Sequence, residues 1–130
     1  MPRKPLEIRL GRLGLQIMNV VWDKGTATVY DVKEAISRGR KPAYTTILTM
    51  MRKLEGKGYL EHEVDERTYV YRATISRQEA RQSLLGDLLE RVFEGSPSLL
   101  VNSLVEQNKV TDEELREIQR LISRRRRHNE

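Results

Sequence analysis

Five residues, Thr45, Thr46, Thr49, Arg52 and Lys53, form the part of this 130-residue chain best suited to specific chemistry. Wound at about 100° per residue, they share one side of a helix. Ile47, Met50, Met51 and Leu54 take the other side, at the i, i+3, i+4, i+7 spacing that a core buries. The outer side offers short hydroxyl and methyl groups in its first turns, which suit close approach to base edges, and cations in its last, which suit phosphates. An ordinary solvated helix would more often carry Glu and Lys there. The competing explanation is a simple clustering of threonines near a helix start. Lys57 beyond the helix and Arg67 further on add phosphate or groove contacts, and Arg40 and Lys41 stand just before it. Tyr44 borders the buried stripe and either packs inward or touches DNA.

Such a helix must be aimed by its neighbours. Tyr59 to Val64 and Thr68 to Ala73 are β-rich runs separated by Asp65-Glu66-Arg67, a length suited to a hairpin loop. A helix leading at once into a hairpin is the back half of a winged helix-turn-helix. The front half reads from Leu10, Leu13, Ile17, Val20 and Val21, an apolar helical stripe ending near Trp22, with Gly25 as its stop. Thr28 caps a second helix, with Asp31 favouring its dipole and Val32, Ala35 and Ile36 covering its inner face. The Gly39 to Pro42 region breaks it before the reading helix.

Charge agrees with this placement. The sequence pI is about 9.7 and the net charge +5, which favours a polyanionic partner. From Met1 to Ile75 there are 14 Lys or Arg against 9 Asp or Glu, whereas Ser76 to Glu130 carries 10 of each. The excess therefore belongs to residues 1–75, read as the winged-helix DNA-binding domain. Cysteine is absent, so neither disulfides nor thiolate metal sites are available. With no signal-like or membrane-spanning apolar run, the expectation is a cytoplasmic protein without membrane insertion.

Residues 76–130 read as three helices. Ser76 with Glu79, and Thr111 with Glu114, are capping-box pairs, and Ser96-Pro97 caps and opens a helix between them. Leu84, Leu85, Leu88, Leu89, Val92 and Phe93 cover more of a helix than one intramolecular neighbour needs. Leu100 and Leu104, then Leu115, Ile118, Leu121 and Ile122, add two further stripes. A segment this small is marginal alone, so the surplus points to a homodimer, the alternative being packing back onto the winged helix of the same chain.

Taken in order, Ile17-Met18-Asn19-Val20-Val21-Trp22 with Gly25, Tyr44-Thr45-Thr46-Ile47-Leu48-Thr49 with Arg52, Leu54, Lys57 and Gly58, Tyr69-Val70-Tyr71-Arg72, and Phe93-Glu94-Gly95-Ser96-Pro97-Ser98-Leu99-Leu100-Val101 carry a resemblance. From about Leu13 to Leu121 the chain resembles the penicillinase and methicillin-resistance repressors and their copper-responsive relatives. The resemblance implies a dimeric repressor pairing through its C-terminal helices and reading a palindromic operator built around TACA and TGTA. The copper-responsive relatives bind metal through C-terminal cysteines, which this chain lacks. The antibiotic-responsive ones are inactivated by a sensor-linked protease cutting between Asn and Phe. Aligned without gaps, that bond falls at Ser103-Leu104, and neither residue matches.

Other features take a plainer reading. Arg124 to Arg127 reads as a solvated basic tail. His62 and His128 offer no metal pair and no general base with an oriented partner. Gly56-Lys57-Gly58 leads into a strand and is no phosphate loop. No convergent acid, base or nucleophile set marks an enzyme, and no cofactor is expected. A winged helix used as a protein-interaction module remains the second reading, against which the polar outer face speaks, since a protein-binding surface needs exposed apolar anchors.

Overall fold

The computed structural model describes residues 7–36 and 41–129. Over these residues the chain runs α1 (Arg12–Lys24), α2 (Val29–Ala35), α3 (Tyr44–Gly56), β1 (Leu60–Asp65), β2 (Thr68–Ala73), α4 (Arg77–Val92), α5 (Pro97–Glu106) and α6 (Asp112–Asn129). It is mainly helical, with one two-stranded antiparallel hairpin directly after α3. Two compact units result, Met1–Leu85 and Gly86–Glu130.

In the first unit α1 buries Ile17, Met18 and Val21, and α3 buries Ile47, Met51 and Leu54. Met50 from the expected stripe is only partly covered. Gly25 ends α1 with φ 84°, its N–H donating to Val21 C=O, a conformation that needs no Cβ. Thr28 opens α2 with a complete capping box, its hydroxyl accepting from Asp31 N–H at 3.1 Å while the Asp31 carboxylate accepts from Thr28 N–H at 3.0 Å. The inner face of α2 differs from expectation at one point. Val29 is buried and Ala35 exposed, because the helix is only seven residues long and its first turn faces the core.

The hairpin tightens to a two-residue loop, since Asp65 pairs with Thr68. Glu66 (φ 46°) and Arg67 (φ 72°) both occupy the left-handed region, as a primed two-residue turn requires. Tyr59 is buried ahead of β1 rather than within it. Its hydroxyl accepts from Arg9 N–H at 3.0 Å and donates to Glu7 C=O at 3.3 Å, tying the start of the chain to the wing's base. The unit continues beyond Ile75 into α4. Ala80 is buried in the same core and Ser83 Oγ accepts from Ile8 N–H at 3.1 Å. Trp22 is a junction residue, its indole N–H donating to Ile75 C=O at 2.9 Å with the Arg77 guanidinium 5.5 Å above its ring.

Local capping defines the later helices. Ser76 with Glu79, Ser96 with Leu99 N–H, and Thr111 with Glu114 all make the expected bonds. Arg124 to Arg127 prolong α6 as helix instead of forming a tail, and Arg120 and Arg124 both lie near Glu117, at 2.7 Å and 3.8 Å. No described residue from Gly86 onward is buried.

Ile17 is fully buried where α1 and α3 meet, so Ile17→Ala should lower the stability of the first unit by about 2 to 5 kcal/mol. Urea unfolding followed through Trp22, the single tryptophan and a reporter of that unit, is the measurement.

Candidate nucleic-acid interface

Three faces of α3 have separate surroundings. Ile47, Met51 and Leu54 point into the core. Thr45, Thr46, Thr49 and Lys53 are exposed on the opposite side, as expected from the sequence. Between these lies a third strip, Tyr44, Leu48 and Arg52, spaced i, i+4, i+8, which borders the wing. Tyr44 is thus exposed along this strip rather than packed inward.

Thr49 has already committed its proton, its hydroxyl donating to Thr45 C=O at 2.9 Å. Toward a partner it offers a methyl group and an oxygen lone pair, which fits contact with a thymine methyl or a base-edge donor. Ala43 gives α3 no side-chain cap, so the first amides of the helix lack a side-chain acceptor. Lys53 in the last turn complements the helix dipole, and Lys57 follows as the C-cap residue, exposed. Lys41 is exposed ahead of α3, and Arg40 lies outside the described residues.

The wing has two chemically different sides. Strand alternation puts Glu61, Glu63, Val70 and Arg72 on one side and His62, Val64, Tyr69 and Tyr71 on the other. Arg72 spends its charge on the first side, bonding Glu61 and lying 3.8 Å from Glu63, and these carboxylates hold its guanidinium above the ordinary arginine pKa. That acidic side would repel a phosphate chain. The other side carries no Asp, Glu, Lys or Arg, and Arg67 stands at the tip. Neither Arg52 nor Arg67 takes part in an ion pair among the described residues.

His62 corrects the sequence reading. It does have an oriented partner, since Nδ1 lies 2.7 and 2.8 Å from the Glu55 carboxylate oxygens at the end of α3. Its ring stacks on Tyr69 with centroids 4.0 Å apart and an interplanar angle of 9°. The turn through Gly58 (φ 86°) folds β1 back beside α3 and creates this pair, which braces the wing against the helix. Among the described residues no three metal-ligating side chains converge.

Sequence reasoning missed a cleft of about 510 Å³ between the α2 start, the third strip of α3 and the wing. Thr28, Val29 and Tyr30 form one wall, and Tyr44, Leu48 and Arg52 another. Arg67, Thr68, Tyr69 and Tyr71 complete it. The alternation of Tyr69 and Tyr71 along β2 was the available signal, but their facing partners lie more than ten residues away in sequence.

The family described as penicillinase repressor matches residues 10–124. Over 110 residues the chain is 22% identical to the methicillin resistance regulatory protein MecI of Mammaliicoccus sciuri, covering 85% of this chain and 89% of that protein. It is 25% identical over 108 residues to the penicillinase repressor of Bacillus licheniformis, covering 83% and 84%. Against the transcriptional regulator BlaI of Mycobacterium tuberculosis (strain CDC 1551 / Oshkosh) the identity is 34% over 82 residues, covering 62% and 59%.

The turn geometry separates stability from binding. Arg67→Gly removes a side chain from a left-handed position and should stabilise the first unit by up to about 1 kcal/mol. It should also reduce the salt slope of DNA binding by about 1 if Arg67 neutralises one phosphate. Urea unfolding and DNA titration at several salt concentrations check the two effects separately.

Proposed function

Because the chain belongs to the penicillinase repressor family, non-enzymatic DNA-binding transcriptional repressors, we propose that it acts as a homodimer clamping a palindromic operator in the cytoplasm. The observation that carries this reading is the exposed hydroxyl-to-cation face of α3, Thr45, Thr46, Thr49 and Lys53, directly opposite its buried stripe. In the roles we assign, the threonines meet base edges and thymine methyls, and Arg52 reaches a base or phosphate. Lys41, Lys53 and Lys57 anchor phosphates, Tyr44 lies against the backbone, and Arg67 contacts the backbone or minor groove. Two such helices held about 34 Å apart, or a multiple of it, would match successive major grooves on one side of the duplex and block a promoter.

Dimerisation rests on the uncovered second unit. Within one chain Leu88, Val92, Leu104, Leu115, Ile118, Leu121 and Ile122 stay exposed and Leu89, Phe93 and Leu100 are only half covered, while at the end of the first unit Leu85 is exposed and Leu84 half covered. A unit in which no described residue is buried is not stable alone, and a second copy supplies the missing partner surface. Loss of these helices would then release the operator, because joining two reading heads raises the effective concentration of the second to roughly millimolar. Ser103 and Leu104 lie inside α5, so a sensor-linked protease acting at that bond must first unwind the helix.

Thr49→Ala and Arg52→Ala should each leave the fold intact and weaken specific binding by about 1 to 3 kcal/mol. Thr49→Val, which keeps the methyl, should lose less than Thr49→Ala. Gel shifts on an operator selected from random DNA check this, and unchanged affinity in both alanine variants removes α3 as the reading surface.

Leu88→Asp tests the dimer. On a surface that stays open the change would be nearly neutral, within about 0.5 kcal/mol, whereas in an interface it buries an unpaired carboxylate. Light scattering should show the wild type as a dimer and the variant as a monomer with weakened operator binding. A monomeric wild type with full operator affinity defeats the mechanism.

A further inference from the structure

One residue lining the cleft between α2, α3 and the wing, Tyr71, carries an unpaired polar group. Tyr71 is fully buried, yet its hydroxyl has no hydrogen-bond partner among the described residues, the one buried side-chain polar atom there in that condition. A buried hydroxyl left unpaired is costly, and native structures rarely keep one without a reason. Burial chiefly, with the Glu55 charge adding, pushes the Tyr71 phenol above its ordinary pKa of 10.0, so at neutral pH it is a proton donor in search of an acceptor.

What surrounds that donor defines the acceptor's chemistry. Tyr30, 63% exposed, and Tyr69, 45% exposed with one ring face stacked on His62, line the cleft, and Val29 and Leu48 add apolar wall. Arg52 and Arg67 bring two cations without ion-pair partners, and no carboxylate lines the space. Its volume falls within the range of small-molecule sites. We propose that this cleft binds a small aromatic anion, a flat ring carrying a carboxylate or phosphate, whose ring lies against the tyrosines and whose anion takes the Tyr71 proton donor and the two arginines. Arg52 and Arg67 cannot serve this anion and DNA phosphates together, so occupation and operator binding exclude one another. The competition rests on the reading of α3 as the DNA-binding helix, whereas binding to the cleft does not.

A nucleotide of bound DNA has the same chemistry, and the experiment separates the two sources. Phenyl phosphate and salicylate, with benzyl alcohol as the uncharged control, are titrated into the full chain without DNA by calorimetry. Saturable binding of an anionic probe and none of benzyl alcohol is expected. Tyr71→Phe, which keeps the ring, should weaken that probe about tenfold, the loss of one hydrogen bond to a charged group. Tyr30→Ala, on an exposed position that folding tolerates, should weaken it as well.

In the second arm, a probe at ten times its Kd should raise the apparent operator Kd by about tenfold, while Tyr71→Phe without probe leaves operator affinity within about twofold. If neither anion binds, or both variants bind as the wild type does, the site is overturned although operator binding stands. A probe that binds without displacing operator overturns the exclusion. Failure of the anions together with operator binding weakened by Tyr71→Phe assigns the cleft to DNA and overturns the free-ligand site. Absence of operator binding in the untreated wild type counts against the repressor reading alone.

Discussion

Tyr71 holds the first unit in register. Its backbone exchanges two hydrogen bonds with Ala27, at 2.9 Å and 2.8 Å, adding the α1–α2 connection to the hairpin as a single bridge. Its side chain is fully enclosed beside the other core residues. The wing therefore does not swing freely from the end of α3. It is fixed at its middle to the segment that opens α2, and the Thr28 capping box starts that helix one residue after the bridge. Arg67 at the tip inherits its direction from this attachment, and so does the cleft.

Helix α3 works under a partition imposed by its own periodicity. One strip belongs to the core, one to solvent, and the third to the wing, where Glu55 also engages His62. Thr49 shows the economy of the solvent strip: its hydroxyl proton returns to the helix backbone, leaving a methyl surface whose recognition is apolar and accepting rather than donating. Arg52, at the border with the wing strip, is placed between two possible anions. On the proposed roles, a small anion in the cleft would compete with DNA for that side chain.

The second unit obeys a different logic. Its α5 and α6 are specified by their starts, through Ser96 and Thr111, before any packing is available. Each then displays an apolar stripe that the single chain leaves open. Capping contributes about 1 kcal/mol per site and cannot substitute for a core. In the proposed dimer a second copy would complete this surface, and the stability of the unit would then depend on protein concentration.

Helix and strand identities, the caps, the polar face of α3 and the surplus apolar stripes were legible in the sequence because each depends on residues within about two turns of one another. The same local rules fixed Gly25 as a stop and Thr28 as a start. Where such rules failed, the deciding partner was distant. His62 was read as unpartnered because Glu55 reaches it only after the chain turns through Gly58, and the last arginines were read as a tail although the α6 periodicity carries them as helix. The cleft was invisible for the same reason: Tyr30, Arg52 and Tyr71 meet only when the bridge from Ala27 brings α2 and the wing to the same side of α3. Sequence determines which face each element offers, since that follows from its own period. Tertiary structure alone decides which faces enclose a space and whether a buried hydroxyl finds a partner, because both depend on the packing of residues that no local pattern connects.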